Sequence, residues 1–372
     1  MIRQLLKRPV LLLTLSLSSL SSCDALKNPE RAVASARFDR DGKGILFLDD
    51  GVAKVDAALN LKSEVAYPLN AMGWTLGEIS ADGKHAAYAW RGVLQELNST
   101  TNTIPLERRP GLAVFNLESR GLERHLEVST TTLALSDDGA LLAFTPTIDA
   151  VVPEAQSTEM RVIRIADGGS AWVTAGNFVR IRTVPGAGAI AAITRATQGG
   201  PPPELRVVDF ATGQLRFSVP IEGDPETVAA SSDGSVVAVA TEVRVDKSPV
   251  VRYIVVDAAD GSVRSKMEAP GHRRPFPDLV VSSNGRLLAA PVYVITSGSE
   301  PINDGPGYEI LFWEDGALRH VGFAAFWVHE DSSIALSADS KSLLVPEFGG
   351  LRLFSVPDGR LLRSPRYTHD IF

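Results

Sequence analysis

A short pattern, a polar turn followed by a run of small apolar residues, returns along this chain and governs everything the chain can become. The copies are RFDRDGKGILF (37–47), EISADGKHAAYAW (78–90), LALSDDGALLAF (133–144), VAASSDGSVVAVA (228–240), LVVSSNGRLLAAP (279–291) and IALSADSKSLLVP (334–346). Their turn residues Asp41, Asp82, Asp138, Asp233, Asn284 and Asp339 stand 41, 56, 95, 51 and 55 positions apart. The interval of 95 is two periods and predicts a seventh copy near its middle. VRIRTVPGAGAIAAIT (179–194) stands there, with Pro185-Gly186 in place of the Asp-Gly turn. A period of this length means units that each bury an apolar face against the next.

Within each copy two apolar runs meet at an Asp-Gly or Asn-Gly type turn, a strong hairpin signal because glycine accepts positive φ without steric cost. A second signature follows: VFNLESRGLERHLEV (114–128), VIRIADGGSAWV (162–173), VVDFATGQLRFSV (207–219), VVDAADGSVRSKM (255–267), LFWEDGALRHV (311–321) and LFSVPDGRLLRS (353–364). The first unit carries only a degenerate version at 52–67. Each unit is therefore an AB hairpin and a CD hairpin. Val236–Ala240 and Leu141–Phe144 are apolar at consecutive positions, as expected of inner strands covered on both faces. Leu122–Val128 and Val263–Met267 mix charge into the run, which keeps an outer edge from pairing with other chains.

Seven four-stranded units over residues 34–372 give about 48 residues each, within the roughly 40 to 50 of propeller repeats. The expected architecture is all-β: a seven-bladed β-propeller of four-stranded antiparallel blades. A linear β-array is the rival, but it needs capping repeats, whereas a closed ring covers its own inner faces. The run Leu361–Tyr367 can supply the last outer strand, so closure need not borrow the N-terminus.

The pattern SxDGxxxA followed by VVDxxTG resembles the WD-repeat and YVTN-type propeller superfamily. The departures are that no blade has a Trp-Asp dipeptide, Trp313-Glu314 being nearest, and no Gly-His pair opens a blade. The resemblance implies that the Asp-His-Ser network of eukaryotic WD repeats is absent. It also implies two kinds of function: a scaffold for a protein partner or a ligand, or a lactonase-like hydrolase with His, Arg and Glu at the channel mouth. For the latter, His272, Arg274 and His329 are the available groups. Quinone-cofactor and haem propellers show an axial histidine or vicinal cysteines that are missing here.

The first residues supply an address. Arg3, Lys7 and Arg8 precede the apolar run Val10–Leu20, which is laid out like a secretion signal and is much shorter than the roughly 20 residues of a bilayer-spanning helix. Leu20-Ser21-Ser22-Cys23 resembles the lipobox of bacterial lipoproteins, which implies cleavage before Cys23 and its acylation; an ordinary cleavage site beside an incidental thiol is the plainer alternative. The expected organisation is a signal peptide over 1–22, a lipidated tether over 23–33 and the propeller over 34–372, anchored in the bacterial cell envelope and facing the periplasm or exterior. Asp24 matches a retention signal for the inner membrane in some lineages, and the choice of membrane stays open.

Charge excludes one partner class. Losing the three basic residues of the signal takes 37 to 34 against 44 acidic ones, a net of −10. Such a surface does not displace counterions from a nucleic acid, and it leaves membrane attachment to the lipid. One cysteine precludes a disulfide framework. The six histidines, His85, His125, His272, His320, His329 and His369, show no metal-ligand spacing, and no nucleophile elbow or phosphate-binding loop appears. No cofactor and no metal are expected. Asp39 to Asp50 has an EF-hand-like opening, but Lys43 stands where an oxygen ligand belongs. The candidate ligand-binding residues lie on connections expected at the channel mouth: Trp74, Arg180, His272, Arg273, Arg274 and Trp327. Aromatic and cationic groups there suit an anionic small ligand or an acidic peptide. The plainer alternative is that the arginines pair with nearby acids and the aromatics fill the channel. Long connections at 91–110, 148–159 and 297–307 enlarge that face.

Overall fold

The computed structural model describes residues 33–38, 44–48, 51–56, 59–66, 75–90, 111–147, 157–197, 199–246, 248–270, 273–275, 278–294, 308–324, 334–347, 350–356 and 358–364. All of the regular structure in them is β, in six antiparallel sheets. The first holds β1 (Val33–Phe38), β2 (Gly44–Leu48), β3 (Gly51–Val55) and β4 (Leu61–Ala66). The second holds β5 (Thr75–Ile79), β6 (His85–Trp90), β7 (Gly111–Asn116) and β8 (Gly121–Leu126). The third has seven strands: β9 (Thr130–Leu135), β10 (Leu141–Pro146), β11 (Ser157–Arg164), β12 (Ser170–Val184), β13 (Ala189–Thr194), β14 (Glu204–Asp209) and β15 (Leu215–Pro220). The fourth holds β16 (Asp224–Ala230), β17 (Val236–Val245), β18 (Ser248–Asp257) and β19 (Val263–Glu268). The fifth holds β20 (Arg273–Pro275), β21 (Val280–Val281), β22 (Leu287–Val294), β23 (Tyr308–Glu314) and β24 (Ala317–Ala324). The last holds β25 (Ala335–Leu336), β26 (Ser342–Glu347), β27 (Gly350–Ser355) and β28 (Leu361–Arg363).

Every hairpin expected from the repeat is an antiparallel pair, including β12–β13 for the copy that lacks Asp-Gly and β3–β4 for the degenerate one. The seven-stranded sheet departs from the expectation of separate four-stranded units. There β12 runs unbroken for 15 residues, pairing with β11 through its first half and with β13 through its second. Ala175-Gly176-Asn177 holds a Gly-Asn pair, which reads as a turn, yet the outer strand of one unit continues through it as the inner strand of the next. In the fifth sheet the opposite happens, and the strand against β22 is broken into β20 and β21. The last sheet is built from β25 to β28 without help from the N-terminal strands.

Five AB turns share one construction. In the second sheet Ser80 Oγ donates to Asp82 Oδ1, which also accepts Lys84 N at 3.0 Å, while Ser80 Oγ accepts His85 N at 3.0 Å. Ser136/Asp138, Ser231/Asp233, Ser282/Asn284 and Ser337/Asp339 repeat the arrangement. The carboxylate thus ties the turn, and only the residue after it takes positive φ. Hydrogen bonds from Ala140 N and Ser136 hold the Asp138 carboxyl below its usual range, and Asp339 is held low by its serine in the same way. A carboxyl depressed on folding stabilises the fold above its unfolded value near 3.9, and that contribution is lost as pH falls below it. Asp138→Asn should therefore flatten the acid limb of a urea-unfolding series while changing neutral stability little, since Asn284 already fills the same place. Asp138→Ala should cost about 1 kcal/mol at neutral pH, as the loss of a comparable cap does.

The core lies between sheets. Ile45 and Phe47 of the first sheet pack on Ala86, Tyr88 and Phe115 of the second, and Trp313 of the fifth packs on Tyr253 of the fourth with ring centroids 4.8 Å apart. Trp90 stacks on His125 at 5.6 Å, and Trp172 donates from Nε1 to Phe210 O at 2.9 Å. These tryptophans are packing residues. The inner strands contact one another in the order β1, β5, β9, β12, β16, β21, β25, and β25 contacts β1.

Candidate functional site

The inner strands and AB turns enclose a cavity of about 620 Å³. Its floor is ionic. Arg37 on β1, Glu78 on β5, Arg182 on β12 and Asp278, just before β21, converge from four sheets or sheet halves. Arg37 Nη2 donates to Glu78 Oε1 at 3.1 Å, and Arg182 Nη1 donates to the same oxygen. Arg182 Nη2 lies 3.6 Å from Asp278 Oδ1, and Asp278 Oδ2 accepts Ile334 N at 2.6 Å. All four side chains are at most 16 % exposed.

The repeat explains how charges reach this depth. Glu78 faces Ala87 across β5–β6, and Arg182 faces Ala191 across β12–β13. The same place in other sheets holds Ala134, Ala229, Val280 and Ala335. Arg37 stands at this place in the first sheet, so three charges occupy a column that is otherwise small and apolar. Asp278 replaces a hydroxyl: Thr132 Oγ1 accepts Ile181 N at 2.9 Å between β9 and β12, the counterpart of the Asp278–Ile334 bond.

Burial alone would push the Glu78 carboxyl up, but Arg37 and Arg182 outweigh it and hold Glu78 below the usual carboxylate range. Among the described residues no guanidinium comes within hydrogen-bonding distance of Asp278. Burial wins there and raises its carboxyl against the pull of Arg182 and Arg37.

The cavity opens at the AB turns, which are linked around its mouth. Asp82 N donates to Asp137 O at 3.2 Å, Gly186 N to Asp137 Oδ2 at 2.9 Å, and the Ser232 and Ser283 hydroxyls share a bond of 3.2 Å. Among the described residues no group of three or more His, Cys, Asp or Glu is placed to hold a metal ion.

Of the residues expected at the channel mouth, Arg180 does not line this cavity. Arg180 on β12 donates from Nη1 to Thr131 O at 2.8 Å, tying two inner strands. Arg273 and Arg274 lie in β20, paired in register with Val294 and Tyr293. Trp74, His272 and Trp327 lie outside the described residues, as do Cys23, His329 and the run from Asp39 to Asp41.

A second ionisable cluster sits at the far ends of β16 and β17. Burial, with Asp224 and Glu242 adding to it, raises Glu226 to about 7, against the pull of Arg195 and Arg180. Arg195 Nη2 is 3.7 Å from its Oε1. A carboxyl raised on folding favours the fold while protonated, so this contribution is full below the unfolded value near 4.3 and declines as pH rises through about 7. Glu226→Gln should remove that decline. Carboxyl-carbon NMR should give Glu226 a titration midpoint near neutrality, well above an ordinary glutamate.

No family model and no curated protein sequence matches the chain. Solved structures do. A chain of hydrazine synthase from Kuenenia stuttgartiensis superposes with a TM-score of 0.59 at 13% identity, covering 88% of this chain and 96% of that one. A chain of a mitotic checkpoint complex superposes with a TM-score of 0.55 at 12% identity, covering 88% and 91%. Both are β-propeller proteins, and at such identities the likeness shows a propeller-type fold and nothing about activity.

Proposed function

We propose that the chain is a seven-bladed β-propeller, tethered to a bacterial envelope membrane through acylated Cys23, that serves as a scaffold for a protein partner. The seven-stranded sheet is read as two blades sharing β12, and β20 with β21 as one broken inner strand. The circular contact order of the inner strands, returning from β25 to β1, supports that count. The observation that carries the scaffold reading is the β17–β18 hairpin. It extends the fourth sheet to ten residues per strand, beyond the six or seven of its neighbours β16 and β19, and ends in exposed Val245. A projecting hairpin on a rigid ring is a common way for a repeat fold to present a binding surface. The likeness to a chain solved within a multiprotein complex agrees with this use of the fold.

A photo-crosslinking residue placed at Val245 in cells should trap one partner stoichiometrically. The same residue at Leu215, on an outer edge, should not. Cys23→Ser should move the protein from the membrane fraction to the soluble one, and mass spectrometry of the native protein should find an acylated N-terminal cysteine. Steady turnover of a lactone that is lost in His272→Ala would overturn the scaffold reading.

A further inference from the structure

The ionic floor of the cavity leaves a donor and an acceptor facing one another without a bond. A guanidinium offers five N–H donors. Arg182 commits Nη1 to Glu78, and its Nη2 stops 3.6 Å short of Asp278 Oδ1. Asp278 Oδ2 is occupied by Ile334 N, whereas Oδ1 receives no hydrogen bond from a described residue. Asp278 is 4% exposed, and both residues line the cavity. A group that fits this gap accepts from Arg182 and donates to Asp278, and a hydroxyl does both.

Charge selects against ionic ligands. The floor pairs two guanidinium groups with two carboxyls, so an anion entering it meets Glu78 and Asp278, and a cation meets Arg37 and Arg182. A neutral ligand meets neither penalty. The mouth adds the hydroxyls of Ser232, Ser283 and Ser340, and the volume of about 620 Å³ lies within the range of small-ligand sites.

We propose that the cavity is a binding site for a neutral, hydroxyl-rich small molecule of the saccharide or polyol class, one hydroxyl of which bridges Arg182 and Asp278. The proposal stands whether or not a protein docks at the β17–β18 hairpin.

Isothermal titration with maltose and glucose tests it, with succinate and spermidine as the anionic and cationic comparisons. One of the two sugars should bind, and the two ions should not. Asp278→Asn can keep an oxygen for Ile334 N while turning its other atom into a donor aimed at the Arg182 donors. It should weaken sugar binding at least about tenfold. Ser232→Trp narrows the mouth without touching the floor and should weaken binding similarly with an unchanged unfolding midpoint, which guards against an Asp278 variant that fails to fold. Absence of binding by both sugars, equal binding in wild type and Ser232→Trp, or preferential binding of succinate or spermidine would each overturn the proposal.

Discussion

Glu78→Ala should lower the unfolding free energy by about 3–5 kcal/mol, the cost of breaking a buried ion pair from one side. Among the described residues Glu78 is the one acceptor within hydrogen-bonding distance shared by Arg37 and Arg182, so its removal leaves two cations buried at the centre of the inner strands. The loss comes from stranded charge rather than from a large favourable energy of the network. Replacing all four groups of the floor together, Arg37→Met, Glu78→Leu, Arg182→Met and Asp278→Thr, the last after Thr132 at the counterpart place, should therefore recover most of it. Urea unfolding of the single and quadruple variants separates the two accounts: a quadruple variant as unstable as Glu78→Ala would mean that the network itself stabilises the ring. The wild-type contribution should also fade in acid. Glu78 is held below its usual range, so its stabilisation is present above the unfolded value near 4.3 and is lost as pH falls below it.

Gly234→Ala should be the most damaging single methyl addition among the AB turns. Gly234 has φ of +68°, and a Cβ there would lie 1.9 Å from Pro185 O, a backbone atom of the neighbouring turn. The left-handed backbone by itself costs a non-glycine residue roughly 1–2 kcal/mol. Gly186 supplies the control, because its φ of +70° is nearly the same but the nearest atom to its Cβ would be 3.8 Å away. Gly186→Ala should show the conformational cost alone, while Gly234→Ala adds the displacement of one turn from the next, for a total of about 3 kcal/mol or more. Equal losses in the two variants would show that the turns do not pack as described.

Much of this fold is written in the repeat. Each Asp-Gly or Asn-Gly copy became an AB hairpin, and the copy hidden in the interval of 95 became β12–β13 despite its Pro-Gly turn, because its apolar run AIAAIT is as buried as the others. The continuity of β12 was not legible. Gly176-Asn177, between Val173 and Phe178, reads as a turn and marks a connection where the strand in fact runs on.

The ionic floor was missed for a different reason. Motif reasoning looks for residue types at characteristic spacings, and Arg37, Glu78, Arg182 and Asp278 are scattered over most of the chain. The signal that finds them is vertical: stacking the repeats puts Arg37, Glu78 and Arg182 in a column with Ala134, Ala229, Val280 and Ala335. A charge in such a column has to meet its partner across the axis. The more conspicuous residue types in the sequence are the aromatic and basic ones on the connections expected at the channel mouth. Of those, Arg180 is tied to the neighbouring strand through Thr131, and Trp74, His272 and Trp327 lie outside the described residues.

The central feature of the fold is how the inner strands close. An experimental density map of the chain from residue 34 onward tests this directly. It should show seven four-stranded sheets around one axis, two of them sharing β12, with Arg37, Glu78, Arg182 and Asp278 meeting at the centre. An open arc of sheets, a different number around the axis, or these four side chains held apart would contradict it.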